Sequence, residues 1–484
     1  MGRAEAGPGE PRVAVVGGGI SGLAAAYRLR VLLGPAAEIV LIERAQRLGG
    51  ALRTVELGGL PFDLGAETFL VRRPEAVDLV AELGLHQQLV QPTRVAPTVR
   101  AEGRTVALPT RTVMGLPGAA ADVAGLLSAA GLARVVREAT LPLRWEVGQD
   151  AAVGPLLRQR AGDELVDRLV DPLLGGVYAG RADTLGLRAT LPAVATALDR
   201  GAGSLLAAAR AALPHGGPST AAVFGTLRGG LTTLVDALAG AAVVHPRLGM
   251  IAQRLQRRPS GWRLTLANAS RREELDADAV LLAVPPPALR RLLADPLPAA
   301  SAAAGQVDVA SCAVVGLALP AVAARALPSS SGVLVAASEA LSVKAFTFSG
   351  RKWAHARSDE VLLIRASLGR HGETLILQRE DAELVEIVRA DLAALTGVTA
   401  APVDAVVARW GGGLPQYAPG HLDIVSTLER EVAGSAGLAV AGAALHGVGV
   451  PACIATAEAA ARRLAGYLTG RRARNTVRGG RMGS

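Results

Sequence analysis

The run Arg12-Val-Ala-Val-Val16-Gly17-Gly18-Gly19-Ile20-Ser21-Gly22 decides how this chain is read. Arg12 to Val16 is apolar and β-branched, bounded by Pro11 and by glycine, the pattern of a short buried strand. Gly17, Gly19 and Gly22 stand in G-x-G-x-x-G spacing, and Leu23 to Leu33 continues as an apolar helix. Each glycine has its own task. Gly17 permits a tight turn. Gly19 has no Cβ, so backbone can approach a pyrophosphate. Gly22 lets the helix pack close on the strand, and the helix N-terminus holds negative charge.

A second strand, Glu38 to Glu43, ends in an acid 21 positions beyond Gly22. A carboxylate there can accept from ribose hydroxyls. Strand, glycine turn, helix and acid-ended strand together point to a dinucleotide. The bland alternative is a strand-turn-helix with a solvated Glu43.

The residues after Glu43 narrow the choice. Glu43-Arg44-Ala-Gln-Arg47-Leu-Gly49-Gly50 gives E-x-x-x-R-x-G-G. This resembles the extension of two-domain FAD-binding flavoproteins, the group of amine oxidases and phytoene desaturases. In that group the second glycine pair lies beside the pyrophosphate and ribityl chain, and the arginine supports it. Phe62-Asp-Leu-Gly65-Ala66-Glu67-Thr68 resembles the loop that reaches the isoalloxazine ring. Gly437 to Ala441 then reads as a buried strand, Gly442 to Pro451 as a glycine-rich loop and Ala452 to Leu468 as a helix. This is a return to the first domain that would aim a second helix N-terminus at the flavin.

Composition excludes several classes. Only 3% of the 484 residues are aromatic, and no basic patch is interleaved with them, which argues against a nucleic-acid protein. The net charge is +9, but Gly470 to Ser484 carries Arg471, Arg472, Arg474, Arg478 and Arg481, leaving the body near +4. That tail reads as disordered. The two cysteines are far apart and no C-x-x-C occurs, so neither a zinc site nor a thiol-redox site is expected; the metal assignment is none. Met1 to Glu10 lacks an apolar core, and no run of 18 residues is free of charges and breakers. A cytoplasmic chain is expected, at most peripheral to the inner face of a membrane.

Along the chain, Glu75 to Leu83 reads as an amphipathic helix. Two short strands follow around Thr98 to Val106. Helical patterns recur from Gly115 to about Leu205, over Ala119–Ala130, Leu132–Ala139, Val153–Ala161 and Asp163–Asp171. The nearly uncharged Ala119 to Ala133 suits a buried core better than a bilayer surface. Val243 to Leu255 and Trp262 to Leu266 read as strands returning to the nucleotide-binding sheet. Strand patterns at Asp308–Leu319, Gly332–Val335, Lys344–Phe348, Val361–Leu368 and Ala405–Trp410 suggest an antiparallel sheet, with a helix at Glu380–Leu395.

Further residues carry a family resemblance. Asp171-Pro172 with Leu173-Leu-Gly-Gly-Val-Tyr178-Ala-Gly180, Arg351-Lys352-Trp353, Trp410 with Leu-Pro-Gln-Tyr417, and Gly447-Val448-Gly449-Val450-Pro-Ala-Cys453-Ile454 resemble the oxygen-dependent porphyrinogen oxidases of haem synthesis. The resemblance runs from Val13 to about Leu468 and is closer to the soluble bacterial branch, which acts on coproporphyrinogen III, than to the membrane-bound branch, which acts on protoporphyrinogen IX. It implies a mixed α/β fold: a Rossmann-type FAD domain of the amine oxidase type, an antiparallel-sheet substrate domain and a helical insertion. The boundaries expected are 11–72, 224–300 and 420–468 for the split FAD domain. Residues 73–110 and 301–419 form the substrate domain, and 111–223 the helical one. Residues 1–10 and 469–484 are expected to be disordered.

The implied reaction is three two-electron oxidations of a porphyrinogen, with O2 reduced to H2O2. Flavin N5 would take the hydride, so no catalytic side chain is assigned. The resemblance places FAD contacts on Gly17, Gly18, Gly19, Ile20, Ser21, Gly22, Glu43, Arg44, Arg47, Gly50, Ala51, Gly65, Ala66, Glu67, Thr68, Ile251, Trp410, Val448, Gly449 and Val450. Propionates need cations. Arg72 and Arg73 are the first candidates, then Lys344, Lys352 and Arg365; Tyr178 is a candidate cleft residue. The expected partners are the porphyrinogen, O2 and the next haem-pathway enzyme, with the chain a monomer or homodimer. Two departures stand out: Leu185-Gly186-Leu187 where the family often has Leu-Ser-Leu, and Leu445-His446 where an aromatic is usual. Protoporphyrinogen IX stays open as the substrate. A flavin amine oxidase, a carotenoid desaturase and a carrier such as the Rab GDP-dissociation inhibitors are the rival readings. The intact E-x-x-x-R-x-G-G run favours a bound flavin.

Overall fold

The glycine fingerprint sits at the heart of a five-stranded parallel sheet. In the computed structural model, which describes residues 10–214 and 222–480, its order is His245–Arg247, Glu38–Ile42, Arg12–Val16, Ala279–Leu282 and Leu438–Val440. Both faces are covered, which is why the central strands are continuous apolar runs rather than alternating ones. On one face lie the helices Ile20–Leu33, Thr232–Ala242 and Val450–Gly480. On the other lie Pro286–Leu293, Pro298–Gly305 and His421–Ala433. Leu23, Leu29 and Leu41 are fully buried here, and each contributes about 2 kcal/mol by leaving water.

A seven-stranded sheet forms the second body, in the order Asp404–Pro415, Val309–Pro320, Val361–Leu368, Val343–Phe348, Gly332–Val335, Thr98–Ala101 and Arg104–Ala107. It is antiparallel except where Gly332–Val335 runs parallel to Thr98–Ala101. Helix Asp381–Thr396 buries Leu384, Val388 and Leu392 on one face and ends at Gly397, whose φ of 79° terminates the helical path. The hairpin Thr54–Leu57 with Leu60–Asp63 packs on the opposite face and ties this sheet to the nucleotide-binding half.

The third body is helical: Ala129–Glu138, Val153–Ala161, Asp171–Tyr178, Pro192–Asp199 and Leu205–Ala212 share one core. Ser128 and Ser204 cap their helices, accepting from Gly131 N and Ala207 N. Buried inside is an ion pair in which Arg160 Nε donates to Glu138 Oε1 over 2.8 Å.

Four expectations are corrected. Only His245–Arg247 joins the parallel sheet; Ile251–Arg258 and Gly261–Ala267 pair with Arg272–Ala277 in a separate three-stranded antiparallel sheet. Ala119–Ala130 is not one helix. A single 3-10 turn, Ala120–Val123, precedes the Ser128 cap, because Asp122 turns back to accept from Ala119 N. The C-terminal helix does not stop at Leu468 but runs to Gly480, so the tail expected to be disordered is helical as far as it is described; Arg471 Nη1 meets Asp278 Oδ1 at 3.1 Å. The parallel strand pair makes the second sheet mixed. Residues 1–9 and 481–484 lie outside the described residues. Among those described, no helix is long and apolar enough to cross a membrane.

Candidate functional site

Two glycine turns meet backbone to backbone. Gly17 N donates to Ile42 O and Gly49 N to Gly18 O, both over 2.8 Å, and Gly19 bridges Gly49. Gly17 has φ 107°, and a Cβ there would lie 2.2 Å from Ala283 O; at Gly22 it would lie 1.8 Å from Gly17 O. These two glycines are demanded by the fold itself. Gly19 differs: a Cβ would meet nothing nearer than Gly50 Cα at 3.8 Å. The turn opens onto space there, as a cradle for a pyrophosphate requires.

Glu43 stands beside this cradle. Its Oε2 accepts from Gly18 N and its Oε1 from Ala45 N, each over 2.7 Å. Each oxygen keeps a lone pair for a hydroxyl. Arg47 closes the second turn from behind, donating to Gly50 O at 2.8 Å and Leu48 O at 3.0 Å, with its guanidinium 5.8 Å from the Trp410 ring. Arg44 is exposed. Ile251 is also exposed, next to Met250, whose N donates to Glu43 O.

The loop 63–68 is held from three sides. Arg365 donates to Asp63 O and Gly65 O, each over 2.7 Å, and Trp410 Nε1 to Leu64 O over 2.9 Å. Ala66 N donates to Ala51 O, which a Cβ at Gly65 would strike at 1.7 Å. Glu67 receives Lys352 Nζ at 2.9 Å and Trp353 Nε1 at 2.6 Å. Burial pushes its carboxyl up, but the Lys352 and Arg365 charges and these hydrogen bonds outweigh that and hold it below the ordinary carboxylate range. Asp63 has the opposite balance. Burial pushes it up to about 6, against hydrogen bonds from Thr54 Oγ1 and Leu231 N. Behind the loop is a small cavity of mixed lining, in which Asp63, Glu67, Arg228, His355 and Arg365 stand beside Phe62, Leu227 and Leu363. The buried Thr226 hydroxyl faces it with no protein partner, as a water site would require.

The C-terminal return is equally specific. Tyr417 stacks on His421 with ring centroids 3.9 Å apart. Its hydroxyl donates to Ala443 O over 2.5 Å, and His421 Nε2 lies 3.1 Å from Leu445 O. Together they fix the loop carrying Val448, Gly449 and Val450, which leads into helix Val450–Gly480. Gly442 of the same loop lies next to Ser21, so the N-termini of the first and last helices come together. Leading amides of a helix have no acceptor within it. Two such sets converge here, fitting a phosphate-bearing group.

The expected propionate cations have diverse fates. Arg72 is exposed, and Arg73 pairs with Glu75 at 2.6 Å on the rim of an outer groove with Glu429, His446 and Arg463. Lys352 and Arg365 take the protein partners described above. Lys344 is buried and donates to Gly369 O over 2.8 Å. Tyr178 is buried against Tyr417, ring centroids 5.6 Å apart. Sequence reasoning missed Asp63, Trp353, Arg370, Tyr417 and His421 as site-forming groups. Asp63, Trp353 and Tyr417 stood inside quoted motifs; His421 and Arg370 had no local signal. At the departure Gly186, a Cβ would meet the backbone of Ala418 and Pro419 at 2.9 Å, so serine does not fit this geometry. His446 pairs with Glu429 at 2.8 Å. No metal-binding cluster occurs among the described residues.

A doubly covered parallel sheet with two glycine turns, an acid at the end of its second strand and a C-terminal helix returning to the fingerprint defines a two-domain dinucleotide-binding flavoprotein class. The chain belongs to the flavin containing amine oxidoreductase family, which matches residues 20–465. It is 47% identical over 443 residues to the coproporphyrinogen III oxidase of Mycobacterium tuberculosis H37Rv, covering 92% of this chain and 95% of that one. It is 31% identical to the coproporphyrinogen III oxidase of Bacillus subtilis, covering 95% and 99%. Among solved structures it resembles an Exiguobacterium protein provisionally named a protoporphyrinogen oxidase, with TM-score 0.82, 30% identity and coverage of 94% and 98%. Cyclohexylamine oxidase from Brevibacterium oxydans, at TM-score 0.69 and 15% identity over 95% and 100% of the chains, shares the fold. The chain is therefore a flavin-dependent oxidoreductase.

Proposed function

We propose that this enzyme oxidises coproporphyrinogen III to coproporphyrin III, using FAD as its flavin and O2 as acceptor. The observation that carries this reading is the near full-length, 47% identity to a coproporphyrinogen III oxidase, together with a cradle that opens at Gly19. Three turnovers remove six electrons and six hydrogens, and three O2 become three H2O2. FAD supplies two-electron acceptor chemistry when bound.

The chain's own residues position and shield. Gly17 to Gly22, with Glu43, would hold the pyrophosphate and ribose. Arg47, Gly50 and Ala51 support the second turn, and Val448 to Val450, at the start of the last helix, would contact the cofactor. The loop Gly65 to Thr68 is fixed by Arg365 and Lys352 so that the reacting faces meet in one geometry. The pyrroles activate the methylene bridges, so no nucleophile is required. Tyr178, Lys344 and the exposed Arg72 are the tetrapyrrole contacts we retain, with Arg73 at the periphery.

The test is anaerobic mixing of purified protein with each porphyrinogen, then air, followed by porphyrin fluorescence and H2O2. Faster oxidation of coproporphyrinogen III with H2O2 release is expected. Preference for protoporphyrinogen IX would overturn the substrate assignment, and a flavin-loaded protein oxidising neither would overturn the porphyrinogen reading.

A further inference from the structure

Helix Asp171–Tyr178 packs on strands Gly332–Val335 and Val343–Phe348, forming the seam between the helical layer and the seven-stranded sheet. Two cations are buried along it. Lys344 is 6% exposed and Arg370 is 7% exposed. Side chains of these types are almost never so buried unless paired with a carboxylate. Yet among the described residues neither has an Asp or Glu oxygen within ion-pair distance. Lys344 Nζ donates to Gly369 O over 2.8 Å, and Arg370 Nη2 to Val335 O over 3.0 Å. Their acidic neighbours are engaged elsewhere. Glu373 is paired with Arg181, and Asp171 Oδ1 accepts from Ala182 N over 2.7 Å.

Opposite Arg370 the helix carries Gly175, which is followed by Gly176. Glycine within a helix costs about 1 kcal/mol relative to alanine, so a reason is needed. A Cβ at Gly175 would meet only Gly180 O at 3.5 Å and Arg370 Nε at 3.9 Å. A methyl there would be in ordinary contact with both, so the glycine brings the helix backbone close against the guanidinium. Two buried positive charges whose hydrogen bonds go to backbone carbonyls rather than to carboxylates favour an arriving carboxylate, which supplies the direct ion pair that neither makes within the fold.

We propose that Lys344 and Arg370 form a carboxylate subsite at this seam, which receives one propionate of the tetrapyrrole. The subsite rests on the porphyrinogen reading above. Arg370 provides the planar fork and Lys344 a point charge beside it.

The experiment titrates coproporphyrin III into flavin-loaded wild type, Lys344→Met, Arg370→Met and Arg370→Lys, with thermal midpoints and steady-state kinetics alongside. Lys344→Met replaces a buried charge with an apolar chain of similar size, so its thermal midpoint rises while its Kd for coproporphyrin III increases at least tenfold. Arg370→Met raises Kd and KM for coproporphyrinogen III by a similar factor with kcat within twofold, and Arg370→Lys restores part of the loss. A merely structural cation would lower the midpoint without moving Kd. Wild type active on coproporphyrinogen III, with both folded Met variants within twofold in Kd and KM, would overturn the subsite. Wild type inactive on both porphyrinogens would instead overturn the reading on which it rests. If Arg370→Met does not fold, Lys344→Met alone decides.

Discussion

Gly19 and Gly50 face each other across the two glycine turns: a Cβ on Gly50 would lie 3.0 Å from Gly19 Cα, whereas one on Gly19 would meet nothing nearer than Gly50 Cα at 3.8 Å. Gly19 has extended backbone, φ −76° and ψ −178°, which any residue adopts. The chain alone therefore tolerates a side chain at Gly19, whereas a pyrophosphate seated in the proposed cradle would not. Gly19→Val should fold with an unchanged thermal midpoint in the flavin-free state but purify without flavin absorbance. Gly22→Ala, whose Cβ would sit 1.8 Å from Gly17 O, should lose stability itself. Flavin content and flavin-free melting of the two variants check the distinction.

Glu67 and Lys352 couple the loop 63–68 to the second sheet. Removing one partner leaves a buried charge, so Lys352→Met should cost roughly 2–3 kcal/mol, below the range for fully buried pairs because Lys352 keeps some exposure. The double variant Lys352→Met/Glu67→Gln should recover more than half of that loss. Denaturant unfolding in a double-mutant cycle measures it, and simple additivity would contradict the coupling.

Asp63 makes stability depend on pH in the unusual direction. Burial lifts its carboxyl to about 6 from 3.8. The unfolded chain thus ionises first, and the folded state is penalised as pH rises through about 6. Stability from this residue is complete below its ordinary range and declines by at most about 3 kcal/mol towards neutrality. Asp63→Asn, which keeps the acceptor for Leu231 N, should flatten the curve between pH 4 and 7. Glu67 has the opposite sign: its folded carboxyl is held low, so its contribution is present above the ordinary carboxylate range and fades in acid. Unfolding free energies across that window separate the two.

Lys344 gives a third pH signature. Burial lowers its ammonium to about 8; Cys312 raises it, Arg370 and Arg365 lower it, and Glu373 raises it. Below about 8 the group is charged and attracts a carboxylate; above it the proton is lost. Affinity for coproporphyrin III should therefore fall as pH rises from 7 to 9, with proton uptake on binding. Lys344→Arg, charged throughout, should abolish the dependence. Titrations at several pH values check it.

Much of the nucleotide-binding half was legible because its signals are local. The strand Arg12–Val16, the glycine turn, the helix after it and Glu43 lie within one short stretch, where periodicity and glycine spacing leave little freedom. Helix Val153–Ala161 was legible for the same reason. The separate antiparallel sheet was not, because its third strand, Arg272–Ala277, is rich in charge and does not read as a strand until Gly261–Ala267 pairs with it. Sequence by itself determined the flavin class of cofactor and the paired glycine turns. Only the tertiary structure decided which cation serves which anion. Lys352 finds the Glu67 carboxylate across 285 residues and Arg365 finds the backbone oxygen of Asp63 across 302, while Lys344 and Arg370 find no acid at ion-pair distance among the described residues. Charge pairing depends on distance in space, and the chain sets that distance only once its sheets and helices have packed.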